Sequence, residues 1–492
     1  MTLVHRVLSP NPIADLDEYL ARGGGRGIEA ARGKDSLALI EELEASGLRG
    51  RGGAGFPTGR KWRTVLENRS PTEPTSVVVN GAEGEPGTFK DRTILRNDPF
   101  QVVEGALIAA KAVGADQIFF GLKRSFETEL GRLRQAIVEV QEIGWATGVE
   151  LIVFEGPHEY LYGEETALLE TIDGRYPFPR IAPPFRRGVR EVVAHDDDVD
   201  SRSSLSAHVD MATPGGETEA PPTLVDNVET LANVPRIMAR GAAWFRTEGT
   251  SASPGTIVCT VTGSTARAGV GEVMMGTPLR EVIEEIGGGA RPGHRIKAVM
   301  SGVSNALIPA DRLDTELCYE ALAGIGSGLG SAGFIVFDET DDLVSVAAGA
   351  SRFLAVESCG QCVPCKRDGL ALADVLARLA LSDASEADLQ LTRKLVSNVG
   401  ERARCALAGQ QQSVVGSVLD LFGSEVDAHV SRTAPATEPY LIAELLDIEG
   451  DEPVWDERHL EKQPDWSYDE VFSGQFPADK FDEHRAPEAL PE

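Results

Sequence analysis

Cysteine is scarce in this chain, six residues in 492, which is too few for the disulfide framework of a small secreted scaffold. Long apolar runs are missing too. A membrane-spanning helix needs about 20 mostly apolar residues, and the longest uncharged stretch, residues 321–337, is interrupted by five glycines, so no transmembrane helix is expected. The opening Met1-Thr2-Leu3-Val4-His5-Arg6 lacks the apolar stretch of a secretory signal; the expectation is a cytoplasmic protein. Basic residues are in deficit, 47 Lys and Arg against 77 Asp and Glu, for a net charge of −30. That charge repels phosphate backbones and anionic lipid, so nucleic acid and direct membrane insertion are excluded as default partners. What the chain does have is length for about three or four domains and 52 glycines, above the average share.

The chain divides by pattern. After an N-terminal segment of residues 1–34, residues 36–46 read as a helix capped by Asp35 and stopped by Gly47. A glycine-rich loop follows, then helical residues 58–68. Strands at residues 76–80, 117–122 and 149–155 alternate with helices at 99–113 and 125–143, the signature of a parallel sheet covered on both faces. Ligands of such sheets lie beyond the carboxyl ends of the strands, which puts the loops after Asn80 and Glu155 at the expected site. This α/β domain, Rossmann-like with a parallel sheet, is assigned to residues 35–250. Residues 186–220, with Asp196-Asp197-Asp198 and Thr213-Pro214-Gly215-Gly216, are expected to be an inserted loop. A small α+β domain is expected over 253–337. Helical periodicity then fills 342–430, with Leu372, Val375, Leu376 and Leu379 on one face and Val414, Val418 and Leu421 on another. Residues 444–492 form a tail with 16 acids and 4 bases. It is too aromatic to be purely solvated and is expected to pack on its own body or on a partner.

The clearest chemical signal is Cys359-Gly360-Gln361-Cys362-Val363-Pro364-Cys365, with Cys405 further on. Three cysteines on one loop can take three corners of a cubane while a distant one closes the fourth, as in [4Fe-4S]. Zinc competes, although its structural sites usually use two separated pairs. Cys259 and Cys318 fall outside this spacing and read as small buried hydrophobes. Gly50-Arg51-Gly52-Gly53-Ala54-Gly55 matches G-x-G-x-x-G, but a helix precedes it where the dinucleotide fingerprint requires a strand. Its glycines still allow close backbone approach to a phosphate or a flat ring, and Arg51, Arg60 and Lys61 bring positive charge; a tight packing turn is the alternative. Glu83 and Glu85 follow the first strand, and Glu164 and Glu165 open a helix after the third. Such carboxylates either complement a helix dipole or accept hydrogen bonds from ribose hydroxyls and a carboxamide. They would repel a 2′-phosphate, favouring NAD over NADP.

With these motifs in view, the chain resembles the NADH-binding flavoprotein subunit of respiratory complex I and its relatives in NAD-linked hydrogenases and formate dehydrogenases. The resemblance spans roughly residues 14–430 and is carried by five segments: Gly47 through Gly59, Glu83 through Arg92, Gly163 through Leu169, Asn227 through Pro235, and Glu357 through Cys365. It implies an FMN-binding α/β domain, a ubiquitin-like β-grasp domain of the SLBB type at 253–337, and a C-terminal α-helical bundle holding an iron–sulfur cluster. By motif, FMN would lie against Gly50, Arg51, Gly52, Lys61, Asn80, Glu83, Tyr160, Gly163, Glu164 and the turn with Val225, Asp226, Asn227 and Thr230. NADH would stack between the flavin and Phe56 and Phe185, held by Glu85 and Glu165. The cluster ligands would be Cys359, Cys362, Cys365 and Cys405. The implied partners are other iron–sulfur or ferredoxin-like subunits of a multisubunit redox complex, and the implied location is cytoplasmic or peripheral to the inner membrane as part of that complex.

The implied function is an electron-transfer subunit, an NADH dehydrogenase of the diaphorase type, that passes electrons from NADH through FMN to [4Fe-4S]; no catalytic side chain is expected, because hydride chemistry belongs to the cofactor. Four positions depart from the family pattern: Ala82 and Ala182 replace Asp and Lys, Thr64 replaces an aromatic, and Asp226 replaces Asn. They keep a second reading open, a divergent paralogue acting as a relay or docking subunit that exchanges electrons with a ferredoxin or partner subunit and does not oxidise NADH directly. Zinc-stabilised scaffolding is a third.

Overall fold

A computed structural model describes residues 3–189 and 221–484; most of the expected insertion, including Asp196 to Asp198, and the side chain of Phe481 lie outside the described residues. The first sheet has four parallel strands, β1 (Ser76–Gly81), β2 (Gln117–Lys123), β3 (Glu150–Gly156) and β4 (Thr223–Asn227), in the order β3-β2-β1-β4. Val77, Val78 and Val79 of β1 are fully buried, as a central strand covered on both faces requires. The Pro99–Val113 helix behind it starts with Asp98 accepting from the Gln101 N–H and with Pro99 in the first turn, and stops at Gly114 in the left-handed region. The chain steps outward from β1 to β3, then crosses back to the other side of β1 for β4. The connections therefore diverge between β1 and β4, and the crevice outside their carboxyl ends is where such sheets bind ligands. The sequence pattern, in which β4 does not stand out, places the site after β1 and β3. Both of those loops reach the site, and the end of β4 joins them there.

The second sheet is mixed, with strands β5 (Thr256–Gly263), β6 (Gly269–Met274), β7 (Ile296–Ser301), β8 (Ile308–Pro309) and β9 (Gly333–Asp338) in the order β6-β5-β9-β7-β8. The Leu279–Gly287 helix buries Leu279, Val282, Ile283 and Ile286 against it. Cys259 and Cys318 are buried in the same core. Charged groups join the two sheets. The Glu229 carboxylate, without solvent exposure, accepts from the Val258 N–H at 2.8 Å and pairs with the Lys90 ammonium at 3.0 Å.

Beyond β9, the helices Leu343–Glu357, Gly369–Ala380, Glu386–Asn398 and Leu407–Leu421 share one core containing Leu354, Leu376, Leu389, Val414 and Val418. Leu372, Val375, Leu376 and Leu379 are buried as expected. Leu421, expected on the buried face, is 53% exposed; it ends its helix, and the following Phe422 packs on the core in its place. Among the described residues no helix is long and apolar enough to cross a membrane.

The acidic tail packs on its own body. It begins with a hairpin, β10 (Leu445–Glu449) and β11 (Glu452–Trp455), held by Arg92 donating to the Leu445 carbonyl at 2.6 Å and by Lys123 pairing with Glu444 at 2.6 Å. Further on, the buried Glu357 carboxylate receives Lys462 at 2.7 Å and His459 at 3.1 Å. Burial alone would raise the pKa of Glu357, but Lys462 and His459 pull it well below the ordinary carboxylate value. The Trp466 indole N–H donates to the Val356 carbonyl at 3.0 Å.

Candidate functional site

A cleft of about 750 Å³ opens at the β1–β4 crevice, within the usual range for small-molecule sites. Both sheet regions and the helical region contribute to it: the glycine loop, the ends of β1 and β4, the loop after β3, Ser304 and Gly330 from loops of the second sheet, and Cys405, Ala406, Leu407 and Gln410 from the helical region. Of the residues carried over by motif to FMN and NADH, all but Arg51 line this cleft.

Arg51 is the exception because its guanidinium turns away. It donates to the carbonyls of Thr256 and Arg49, both at 3.0 Å, and lies 3.9 Å from Glu229. It clamps the glycine loop to the second sheet, and the positive charge assigned to it is not in the cleft. The loop itself is closed as a narrow turn by the Gly50 N–H donating to the Phe56 carbonyl at 2.8 Å. Gly55 has φ +61, and a side chain there would meet the Tyr319 ring. Gly52 presents bare backbone to the cleft, and a β-carbon on it would stand 3.3 Å from that of Asn227. Phe56, 46% exposed, stands at the mouth with the half-buried Phe185.

The four carboxylates converge as expected, but each already holds scaffold donors. Glu83 pairs with Arg92 at 3.0 Å and accepts from the Asp91 N–H, which secures the start of the Lys90–Asn97 helix. Glu164 is an N-cap, accepting from the Thr166 and Ala167 N–H groups at 3.0 and 2.9 Å; here the helix-terminus reading of the sequence holds. Glu85 accepts from Tyr160 Oη, Ser304 Oγ and the Val303 N–H, and burial raises its pKa against those donors. Glu165 pairs with Lys61 and keeps about a third of its side chain exposed.

Lys61 projects from the Thr58–Glu67 helix to Glu165, the Val225 carbonyl and, at 3.9 Å, Asp226. Burial opposes its charge, yet Glu165 and Asp226 outweigh that, and its pKa is raised. Asp226, which also accepts from the Trp62 indole N–H at 2.7 Å, is pushed up by burial to about 6 despite Lys61. Its folded value lies above its unfolded one, so the folded chain holds the extra proton between the two. Stability attributable to Asp226 is therefore lost as pH rises through about 6. Asp226→Asn keeps the acceptor for Trp62 and should raise stability at pH 8 by about 2–3 kcal/mol while changing little at pH 4. Urea midpoints at the two pH values check this, and an equal change at both would refute it.

Sequence reasoning missed Lys90 and Asp91 as site residues. Lys90 is fully buried, pairs with Asp91 at 2.7 Å and Glu229 at 3.0 Å, and donates to Asn227 Oδ1 at 3.1 Å. Opposing its burial, these carboxylates raise its pKa. The segment Glu83 through Arg92 signalled it, but a lysine between Phe89 and Asp91 reads as surface until the fold places Glu229 beside it.

The four cysteines line one small cavity together with Leu161, Ser358 and Leu407. Thiolates around a single zinc at about 2.3 Å stand roughly 3.8 Å apart. Among the described residues, the one group whose donor atoms all lie within 4.8 Å of one another is His294, Asp338 and Glu339. There the Arg291 guanidinium occupies Asp338 at 2.8 Å, an ion pair and not a metal site. No three sulfurs of the four cysteines are gathered that tightly, but all four line the one cavity, and four cysteine thiolates are the ligand set of a cubane. Burial pushes the Cys365 thiol up to about 11 and Cys405 up to about 12, so forming the thiolates requires the field of a metal centre. Cys405, Leu161 and Leu407 border both this cavity and the cleft.

Comparison with known proteins agrees with this geometry. The Nuo51 FMN-binding domain profile matches residues 43–236, and that of the NADH-ubiquinone oxidoreductase-F iron-sulfur binding region matches 345–429. The chain is 37% identical over 428 residues to the F-2 subunit of the NADH-quinone oxidoreductase of Rhizobium meliloti (strain 1021), covering 85% of this chain and 94% of that one. It is 34% identical to the HndC subunit of the NADP-reducing hydrogenase of Solidesulfovibrio fructosivorans, covering 86% and 82%. Among solved structures, a crystal structure of NAD+-reducing [NiFe]-hydrogenase in the H2-reduced state superposes with a TM-score of 0.70 at 30% identity, covering 85% of this chain and 67% of that one. The glycine-lined cleft, the four converging cysteines and these matches carry one conclusion: the chain belongs to the NADH-quinone oxidoreductase-F family.

Proposed function

We propose that this chain is an electron-transfer subunit of a multisubunit oxidoreductase, taking electrons from NADH at an FMN in the cleft and passing them to a [4Fe-4S] cluster held by Cys359, Cys362, Cys365 and Cys405. The observation that carries this is the shared wall: Cys405 and Leu407 face both the cleft and the cysteine cavity, so a flavin and a cluster would be separated by side chains and not by a domain. FMN, when bound, accepts a hydride and releases its electrons singly; the protein's own part is binding, orientation and exclusion of water. Gly50 and Gly52 offer backbone without side chains, Lys61 and Lys90 supply positive charge, and Asn80 and Asn227 supply amide groups at the strand ends. Phe56 and Phe185 offer apolar faces at the mouth, where a nicotinamide can stack.

The domain boundaries belong to this reading: an N-terminal segment to 34, the flavin domain over 35–250, a ubiquitin-like β-grasp domain of the SLBB type over 253–337, a helical bundle over 342–430, and the tail from 444. The mixed order β6-β5-β9-β7-β8 with one helix across it supports the β-grasp assignment.

A second reading, a relay that receives electrons from a ferredoxin or partner subunit, is favoured by Ala82. Its side chain is buried among Val78, Tyr162, Leu168 and Val225, where the resemblance implies a carboxylate. Anaerobic purification, cofactor extraction and an NADH titration followed by flavin absorbance separate the two: bleaching supports NADH oxidation, and a flavin that ignores NADH supports the relay. In the same preparation Gly52→Val should leave the far-UV spectrum intact and lower the flavin content about tenfold or more, because the side chain fills the approach beside Asn227. Full flavin in a folded variant would make the loop a packing turn.

A further inference from the structure

The sulfurs of the cysteine centre differ in what approaches them. Cys365 has a hydroxyl beside it, Ser358 Oγ at 3.2 Å. Cys359, which is buried, receives an amide instead: Gln361 Nε2 donates to its Sγ at 3.4 Å. The direction of that amide follows from its other partners. Arg404 Nη1 donates to Gln361 Oε1 at 3.0 Å, and because a guanidinium can only donate, the oxygen end must face Arg404 and the NH2 end the centre. One N–H of that NH2 goes to the Pro179 carbonyl at 3.1 Å, which leaves the second for the sulfur.

The Pro179 carbonyl is itself fixed. Next to it, the Arg180 N–H donates to Thr166 Oγ1 at 3.0 Å and the Arg180 guanidinium pairs with Glu170 at 2.7 Å, which ties the segment to the Glu165–Ile172 helix. Pro179 and Gln361 line the cysteine cavity together. A thiolate that shares the charge of a cluster becomes more negative when the cluster is reduced, so a donor aimed at it stabilises the reduced form more than the oxidised one. Hydrogen bonds to sulfur are among the effects that set the potential of such centres. Burial of Cys359 strengthens this one, because little water competes with the amide.

We propose that Gln361 is a positioning residue for electron transfer: its amide, held by Arg404 and the Pro179 carbonyl, donates to the Cys359 sulfur and raises the reduction potential of the cluster. The proposal rests on the reading of the four cysteines as a [4Fe-4S] site and names the side chain that makes this site a better electron acceptor.

The test is an anaerobic redox titration of the full chain, with the reduced cluster followed by electron paramagnetic resonance and dithionite supplying one electron per cluster. Variants are compared at the poise that half-reduces the wild-type cluster, in about 0.5 M salt so that exposed charges are screened. Gln361→Leu removes the donor, and the ratio of reduced to oxidised cluster should fall about threefold or more, about 28 mV for one electron at about 59 mV per tenfold. Gln361→Glu keeps the shape and the acceptor for Arg404 but turns an acceptor toward the sulfur, and the ratio should fall about tenfold or more, about 59 mV. Arg404→Met frees the amide to turn and should give a smaller fall in the same direction. Arg280→Met, on the helix of the second sheet, should leave the ratio unchanged. If both Gln361 variants lose the cluster signal, Arg404→Met carries the test. A ratio that does not move, or that rises, in whichever of these variants keep the cluster overturns the proposal alone. Zinc without iron in the wild type refutes the cluster reading and this proposal with it.

Discussion

Cys362→Ser is expected to abolish the iron–sulfur centre. Iron should fall from about four per chain to less than about one, and the [4Fe-4S] resonance of the reduced protein should vanish. Cys362 is the middle ligand of the loop and half-exposed, whereas Cys359 and Cys365 on either side are buried. Those two, with Cys405, are raised thiols that stay protonated without the metal's field, so losing one ligand weakens the drive to ionise the rest. Because Cys362 lines the cysteine cavity and not the cleft, flavin content should fall far less than iron. Stoichiometric zinc without iron in anaerobically prepared wild type would reject the assignment outright.

Lys90→Met should destabilise the fold by about 3–5 kcal/mol, the usual cost of leaving buried charge uncompensated. The substitution strands Asp91 and Glu229, whose carboxylates lie 2.7 and 3.0 Å from the ammonium. Glu229 ties both sheets together through the Val258 N–H, so the flavin cleft and the second sheet should loosen at one urea midpoint and not in two steps. The deficit should shrink toward acid pH, since Asp91, already raised by burial, takes up a proton once its counter-charge is gone. Adding Glu229→Gln should recover part of the loss. A change below about 1 kcal/mol would mean that water or rearranged partners compensate the site.

The segments that local physics specifies were legible in the sequence. The helix Ser36–Ser46, with Asp35 accepting from the Ala38 N–H and Gly47 in the left-handed region, falls on its expected bounds, as does Pro99–Val113. Strand β4 was not legible, because its five residues, Thr223–Asn227, are too few to show a period after a polar stretch, and its pairing with β1 is entirely non-local. The Lys90–Asn97 helix was missed for a related reason: it has no side-chain cap of its own and takes its start from Glu83. At the site, residue types were readable and orientations were not. Arg51 among glycines reads as a ligand cation, and only the fold reveals that Glu229 and the Thr256 carbonyl claim it. The acids at 83 and 164 are readable by type alone: both line the cleft, and only the fold reveals that Arg92 also holds the first, while the amides of residues 166 and 167 hold the second in the helix-terminus role that the sequence left open.

The tail closes over Cys359, with the Ala478 N–H donating to the Cys359 carbonyl at 2.9 Å and Phe476 against Gly360, and this closure sets an order of events during synthesis. The loop with three ligands leaves the ribosome first, Cys405 follows, and Phe476 and Ala478 arrive last. At about 5–20 residues per second, the chain between Cys365 and Ala478 takes roughly 6–23 s to make. For that interval the nascent centre stands open on the side that the mature protein seals, which gives iron and sulfide delivery a route that closes behind it.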